Sequence, residues 1–341
     1  MRVTQSMMRN RYMRNYNNSL SRLNKLSNQN TSLRKFERTS EDVVGSTRAL
    51  TIRDELSRNE AYISNLEEAK GVMGAAETAL TKLGDIGTDV YAKLLYAINS
   101  PSGETGRDVL AKEIRTLAGE LVKVANTDYV GKYVLGGSNN STPPFVLSAD
   151  GKTLTFNGKD VNSNNPATNK PYTAQELEAA FPMNNEKFMD VGLGLTVDEH
   201  GNVDSSSAMS ISTPGIRAMG NGVDADGDPK NLYNLCMKIA DVIESPNYDN
   251  AKALSLVEKI KTAKDNVLLD VTNIGDRCNF IDFNIKRFES NILSLKDAQN
   301  MVESVDPAEV ITEYQSQKYM YQTTLSMGTK LLQQSIFDFM R

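Results

Sequence analysis

The feature that most constrains this chain is heptad spacing. Apolar residues recur alternately three and four positions apart over stretches much longer than an ordinary globular helix. One stripe runs Leu66, Ala69, Met73, Ala76, Leu80, Leu83, Gly87, Val90, Leu94 and Ala97, and a second runs Leu110, Ile114, Leu117, Leu121 and Val124. A third runs Val271, Ile274, Cys278, Ile281, Ile285, Phe288, Ile292 and Leu295. This period keeps one seam of a helix against a neighbour. A long helix with so narrow a seam is stable only beside other long helices, because helix propensity alone is marginal in water. Between the first two stripes, Asn99-Ser100-Pro101-Ser102-Gly103 reads as a turn, so these helices are expected to form an antiparallel hairpin. The expected class is mainly α: an elongated rod of long antiparallel helices, with the N- and C-terminal segments paired.

Composition agrees with that reading. The 341 residues are 39% hydrophobic and 7% aromatic, with no Trp, which suits narrow seams better than a thick core. The net charge of −5 argues against a chain-wide nucleic-acid binder. No run approaches the ~20 apolar residues of a membrane span. Residues Met1 to Lys25 lack the apolar core of a secretory signal, so any export is expected to proceed without a cleaved signal peptide.

The middle changes character. From Gly136 to Asp228 the helical period fades and Gly, Asn, Ser, Thr and Pro take over. Phe145-Val146-Leu147 and Thr153-Leu154-Thr155-Phe156, around a turn at Asp150-Gly151, predict a β-hairpin. Val191 to Val197 predicts a further strand leading into a turn at Glu199-His200-Gly201-Asn202, and Thr173 to Phe181 a short helix capped by Thr173 with Glu176. The expected organisation is a helical body over 41–135 and 229–304, a small β-rich insert over 136–228, and terminal helices over 1–40 and 305–341.

The termini carry shorter stripes: Met13, Tyr16, Leu20 and Leu23 at one end, and Ile311, Tyr314, Tyr321, Leu325, Leu332 and Phe339 at the other. Asn crowds the first and Lys318 and Gly328 interrupt the second, so neither is expected to fold alone. They are the candidate assembly residues. The first forty residues hold nine cations, Arg2 to Arg38, against one acid, Glu37; their charges are spread round the helix with Asn between. The last segment is acidic, with Glu303, Asp306, Glu309, Glu313 and Asp338. Pairing of a basic with an acidic helix accounts for both ends. The rival reading, a basic arm for nucleic acid or membranes, needs a separate assumption.

Catalytic and metal chemistry finds little support, and no catalytic, cofactor or metal residue is assigned. His200 is the only histidine, in an expected turn, and Cys236 and Cys278 sit on apolar helical stripes as small hydrophobes. Gly151-Lys152-Thr153 lacks the earlier glycine and following helix of a phosphate loop, and Gly192-x-Gly194 lacks the third glycine of a dinucleotide site. Asp224-Ala225-Asp226-Gly227-Asp228 is the best cation candidate, but its spacing misses the Gly and Glu of a calcium loop. It reads as a solvated acidic linker capping a helix that starts near Pro229.

Several short motifs, in order and at both ends, resemble the flagellin superfamily and, within it, the hook-associated protein 3 branch. The start Met1-Arg2-Val3-Thr4-Gln5-Ser6-Met7-Met8 and Asn18-x-Leu20-x-x-Leu23 are similar, as are Ala49-Leu50-x-x-Arg53-x-x-Leu56 and Asn65 to Leu80. So are Ala125-Asn126-Thr127, then Gly131 to Gly137, Asp190 to Gly194, Asn273 to Asn279, Asp306-Pro307-Ala308-Glu309, and the tail from Tyr321 to Phe339. The chain departs where the family has a Ser-Gly-Lys-Arg-Ile loop: Leu33 stands at the glycine, and Thr39 and Val43 replace two prolines. The resemblance implies a non-catalytic subunit of the bacterial flagellum at the hook–filament junction, exported unfolded through the flagellar type III channel, with flagellin itself as the alternative. Implied partners are hook-associated protein 1, flagellin, further copies of the chain in a ring, an export chaperone and the filament cap. No nucleic acid, membrane or cofactor is implied. Terminal segments disordered in the monomer and helical in the tube are also implied.

Overall fold

A computed structural model of the chain describes residues 5–99, 103–137, 139–163, 165, 188–192, 194, 196 and 208–337. The described helices are α1 (Gln5–Ser32), α2 (Val43–Asn99), α3 (Glu104–Ala125), α4 (Gly215–Met219), α5 (Leu232–Glu244), α6 (Asn250–Glu303) and α7 (Pro307–Phe337). Among the described residues, seven short strands lie between α3 and α4. They are β1 (Asp128–Tyr129), β2 (Lys132–Tyr133), β3 (Phe145–Leu147), β4 (Leu154–Phe156), β5 (Lys159–Asp160), β6 (Phe188–Met189) and β7 (Met209–Ser210). The chain divides into two units, Ala61–Phe288 and the combination of Met1–Glu60 with Glu289–Arg341, and the divisions fall inside α2 and inside α6.

In the unit Ala61–Phe288 the heptad stripes are the core. Leu66, Ala69, Met73, Ala76, Leu80, Leu83, Val90 and Leu94 of α2 are buried, and join Ile274, Ile281 and Phe288 of α6 in one cluster. Burying a side chain of Leu size stabilises by about 2 kcal/mol, so such a seam outweighs the weak intrinsic preference of these helices. The α2–α3 hairpin forms, and Lys93 of α2 pairs with Glu113 of α3. The seam of α3 keeps Ile114 and Leu121 of the expected stripe, and the adjacent alanines replace its other three members. Ala111, Ile114, Ala118, Leu121 and Ala125 are buried, whereas Leu110, Leu117 and Val124 are half-buried. Small residues at three seam positions let α5 approach closely, and Arg115 fixes that contact by forking to Asp241 at 2.7 Å and to Glu244.

The expected β-hairpin is present in the expected register, with Phe145 opposite Phe156 and Leu147 opposite Leu154. The two Phe rings meet at 4.9 Å. A third strand, β5, extends it through Asn157-Gly158, whose φ angles of 48° and 82° suit a tight hairpin turn. The insert is anchored to the helices by Asn126. Its amide donates to the Phe145 carbonyl at 2.7 Å and its side-chain oxygen accepts from the Phe145 N–H at 3.0 Å. That double bond gives the Ala125-Asn126-Thr127 motif its physical meaning.

Two expectations are corrected here. The strand proposed for Val191–Val197 is absent among its described residues: the β6 pairing ends at Met189. Gly192 has φ of 71°, and a Cβ there would lie 2.6 Å from the Phe288 ring, so this stretch follows the helix surface instead of pairing. The second concerns the helix expected from Pro229. It begins at Leu232, capped by Asn231, whose side chain accepts from the Tyr233 N–H at 3.0 Å. The proposed helix at Thr173–Phe181 and His200 lie outside the described residues.

In the unit formed by the two chain ends, α1 and α7 pack antiparallel against each other. The linkers beside them also pair. Val305 N–H donates to the Leu33 carbonyl at 3.2 Å and Lys35 N–H to the Glu303 carbonyl at 2.7 Å.

Candidate assembly site

The α1–α7 seam is built from residues that helical spacing brings to one face of each helix. Leu26 and Val310 are buried at the end nearest the linkers. Gln317 is also buried there, and its amide donates to the Ser19 hydroxyl at 3.0 Å and the Ser19 carbonyl at 3.2 Å. Beyond it, the Tyr16 and Tyr321 hydroxyls lie 3.0 Å apart and their rings 5.6 Å apart, with Tyr12 next to Tyr16 at 6.4 Å. The hydrogen bond with Tyr16 holds the Tyr321 phenol above its ordinary range, aided by burial. At Gly328 a Cβ would overlap the Tyr12 hydroxyl, so glycine is what lets the Tyr12 ring cross α7.

This seam is less apolar than the interior of the other unit. Hydrogen-bonded Tyr, Gln and Ser occupy positions where a self-sufficient pair would carry Leu. The proposed basic–acidic attraction is not how the helices meet, because among the described residues no ion pair joins α1 to α7. Charge acts at the linker instead, where Arg53 of α2 meets the buried Glu303 carboxylate at 2.6 Å.

The candidate assembly residues separate into two groups. Tyr16, Leu20, Leu23, Tyr314 and Tyr321 are half-buried on the paired helices. Met13, Ile311 and Leu325 are exposed, at 48%, 43% and 41%. The side chain of Leu332 and the whole of Phe339 lie outside the described residues. Tyr12, Ser19, Gln317 and Gly328 escape sequence reasoning because a stripe search scores apolar residues and these are polar or small. Spacing alone would have found them: Tyr12, Tyr16, Ser19 and Leu23 are three or four apart, as are Val310, Tyr314, Gln317, Tyr321, Thr324 and Gly328.

The acidic segment in the other unit is a folded loop, not a solvated linker. The carboxylates of Asp224, Asp226 and Asp228 converge within 4.8 Å of one another. The Lys259 ammonium sits among them, at 2.8 Å from Asp224 and 3.0 Å from Asp226 and in contact with Asp228, which also meets Lys238. Burial alone would raise Asp224 and Asp228. The lysine hydrogen bonds, with backbone N–H groups on Asp224, outweigh it and hold both carboxyls below their ordinary range. Cys236 is fully buried, and burial pushes its thiol up to about 12, which removes it as a nucleophile. Cys278 is half-buried and not disulfide-bonded.

Residues 3–140 match the model of the bacterial flagellin N-terminal helical region. Over that stretch, which is less than half of the chain, the sequence is similar to the flagellin superfamily. Among curated members, flagellar hook-associated protein 3 of Escherichia coli K12 is 26% identical over 146 residues, covering 42% of this chain and 46% of that protein. The chain thus spans about half the length of the curated relative it matches. A solved flagellar hook-associated protein of Vibrio parahaemolyticus superposes with a TM-score of 0.57 at 18% identity, covering 77% of this chain and 99% of that one. Bacillus cereus FlgL superposes at 0.51 and 15% identity, covering 73% and 99%. The likeness to these two structures is one of fold.

Proposed function

We propose that this chain belongs to the flagellin superfamily and is a structural subunit of the bacterial flagellum at the junction between hook and filament. Its work is assembly and not catalysis. Residues 1–40 and 305–341 form the assembly element, 41–135 and 229–304 the supporting body, and 136–228 an insert. The proposed neighbours are hook-associated protein 1 on one side, flagellin on the other, and further copies of the chain around a ring. An export chaperone and the filament cap act in transit, and delivery to the cell exterior uses the type III channel.

The observation that carries this reading is the pairing of helices from opposite ends of the chain through a polar seam, with Met13, Ile311 and Leu325 left exposed. Such a pair gains from burial by neighbours what its own seam lacks. The test is addition of the purified chain to isolated hooks carrying hook-associated protein 1. Saturable binding, followed by flagellin growth from the decorated end, is expected. Failure to bind such hooks would overturn the proposal, and long filaments grown from this chain alone would assign it to flagellin instead.

A further inference from the structure

Among the described residues the methionines divide by unit and by burial. Met7, Met8 and Met13 of α1, Met301 in the last turn of α6, and Met320 and Met327 of α7 all belong to the unit of the chain ends. They are from 43% to 77% exposed. In the unit Ala61–Phe288, Met73, Met209 and Met219 are buried, and Met189 and Met237 are half-buried. An exposed thioether is an adaptable apolar contact and also a target for oxidants.

The paired helices hold most of the exposed set. The contacts Tyr16–Tyr321 and Ser19–Gln317 set an antiparallel register. Continued toward the start of α1, it puts Met13 level with Leu325 and Met8 level with Met327, each to within about one residue. Met320 and Met327 stand about two helical turns apart and so share a flank of α7. The thiols do not compete for oxidant. Burial pushes the Cys236 thiol up to about 12 and also raises that of Cys278, so neither supplies the reactive thiolate.

We propose that the exposed methionines of the chain-end unit are an oxidation site whose modification switches assembly off. The reagent class is a two-electron oxidant, a peroxide or a hypohalous acid. With hydrogen peroxide, the thioether sulfur attacks one oxygen and the O–O bond breaks. The sulfur gives up two electrons and keeps that oxygen, while the other leaves as hydroxide and takes the proton to become water. Each event turns a flexible apolar side chain into a polar one. A face that neighbours must bury then carries S=O dipoles without partners. The core of the other unit stays intact, because its buried methionines are shielded. The inference rests on the assembly reading above and names a modification that controls it.

The test treats the full chain with hydrogen peroxide at neutral pH and maps sulfoxides against time by peptide mass spectrometry. The six exposed methionines should oxidise at least ~tenfold faster than Met73, Met209 and Met219. The oxidised chain should keep slow hydrogen exchange from Leu66 to Leu94 and bind isolated hooks at least ~tenfold more weakly. Methionine sulfoxide reductases A and B with dithiothreitol should restore binding. The variant M8L/M13L/M320L/M327L, compared only with itself, should change its hook binding less than ~twofold on treatment, because leucine has no sulfur to oxidise.

Equal rates at exposed and buried methionines, undiminished hook binding after oxidation, or no recovery with the reductases would overturn the proposal. So would a leucine variant that binds hooks and stays as sensitive to peroxide as wild type. Where that variant does not bind, reductase rescue of the wild-type chain decides. An untreated wild type that ignores hooks removes the junction reading alone, and the oxidation map, which needs no hooks, still upholds or overturns the site.

Discussion

Leu33 holds a backbone conformation with φ of 56°, a region where a side chain crowds the following carbonyl and costs roughly 1–2 kcal/mol. The linker contact explains why this conformation persists. Leu33 accepts from Val305, and Lys35 donates to Glu303 beside it. Leu33→Gly should therefore raise the stability of the terminal pair by about 0.5–1 kcal/mol after the extra backbone entropy of glycine is counted. Hydrogen exchange of α1 and α7 amides measures this, and slower exchange is expected. Gly328 presents the reverse case. An interior helical glycine costs about 1 kcal/mol against alanine, and it is retained where the Tyr12 ring crosses. Gly328→Ala should speed exchange around Tyr12 and Tyr16 although α7 itself becomes a better helix former. Slower exchange there would contradict the close approach.

At the scale of elements, the loop before α5 is held by Lys259 of α6 acting on three carboxylates. Asp224 and Asp228 titrate lower in the folded chain, so their contribution is complete above about pH 4 and is lost as pH falls through the folded values. Lys259 is itself held above its ordinary range. Burial opposes the charge, but hydrogen bonds to Asp224, Asp228 and Asp226 outweigh it. Its share is complete below about pH 10 and is lost as pH rises through its folded value. Lys259→Met should destabilise the unit Ala61–Phe288 by about 3 kcal/mol at neutral pH, because it strands partly buried carboxylates. The gap from wild type should narrow between pH 5 and pH 3 as those carboxylates protonate. Urea unfolding across that range reads both effects, and a gap independent of pH would show that the loss is packing alone.

At the scale of the molecule, the division of labour lies between buried stripes and exposed ones. Leu66, Met73, Leu80 and Leu94 are fully buried within their own chain, whereas Ile311 and Leu325 have side chains more than 40% exposed. The double substitution Ile311→Asp with Leu325→Asp should shift the thermal midpoint by less than about 2 °C, since surface changes stay within ~0.5 kcal/mol. Binding to hooks should fall at least tenfold. A large drop in the midpoint would place these residues in the chain's own core and remove them from the assembly face.

The sequence by itself determined the long helices, the α2–α3 hairpin and the β3–β4 register, because period 3.5 and period 2 are local patterns that burial then enforces. It also pointed to both chain ends as one functional element. Its motifs carried the resemblance to flagellins before any geometry was available. The third strand β5 was not read from the sequence, although Asn157-Gly158 is a hairpin-turn signal. Tertiary structure decided what depends on neighbours distant in sequence. In the α3 seam Ala111, Ala118 and Ala125 are buried beside Ile114 and Leu121, where Leu110, Leu117 and Val124 had been expected, because close approach of α5 favours the smaller side chain. Gly192 follows the Phe288 ring instead of pairing in a strand. A lysine 35 positions away from Asp224 gathers the acidic loop. At the chain ends, Tyr16, Ser19, Gln317 and Tyr321 join helices that charge had been expected to join. Each of these outcomes depends on two distant surfaces meeting, which local patterning does not encode.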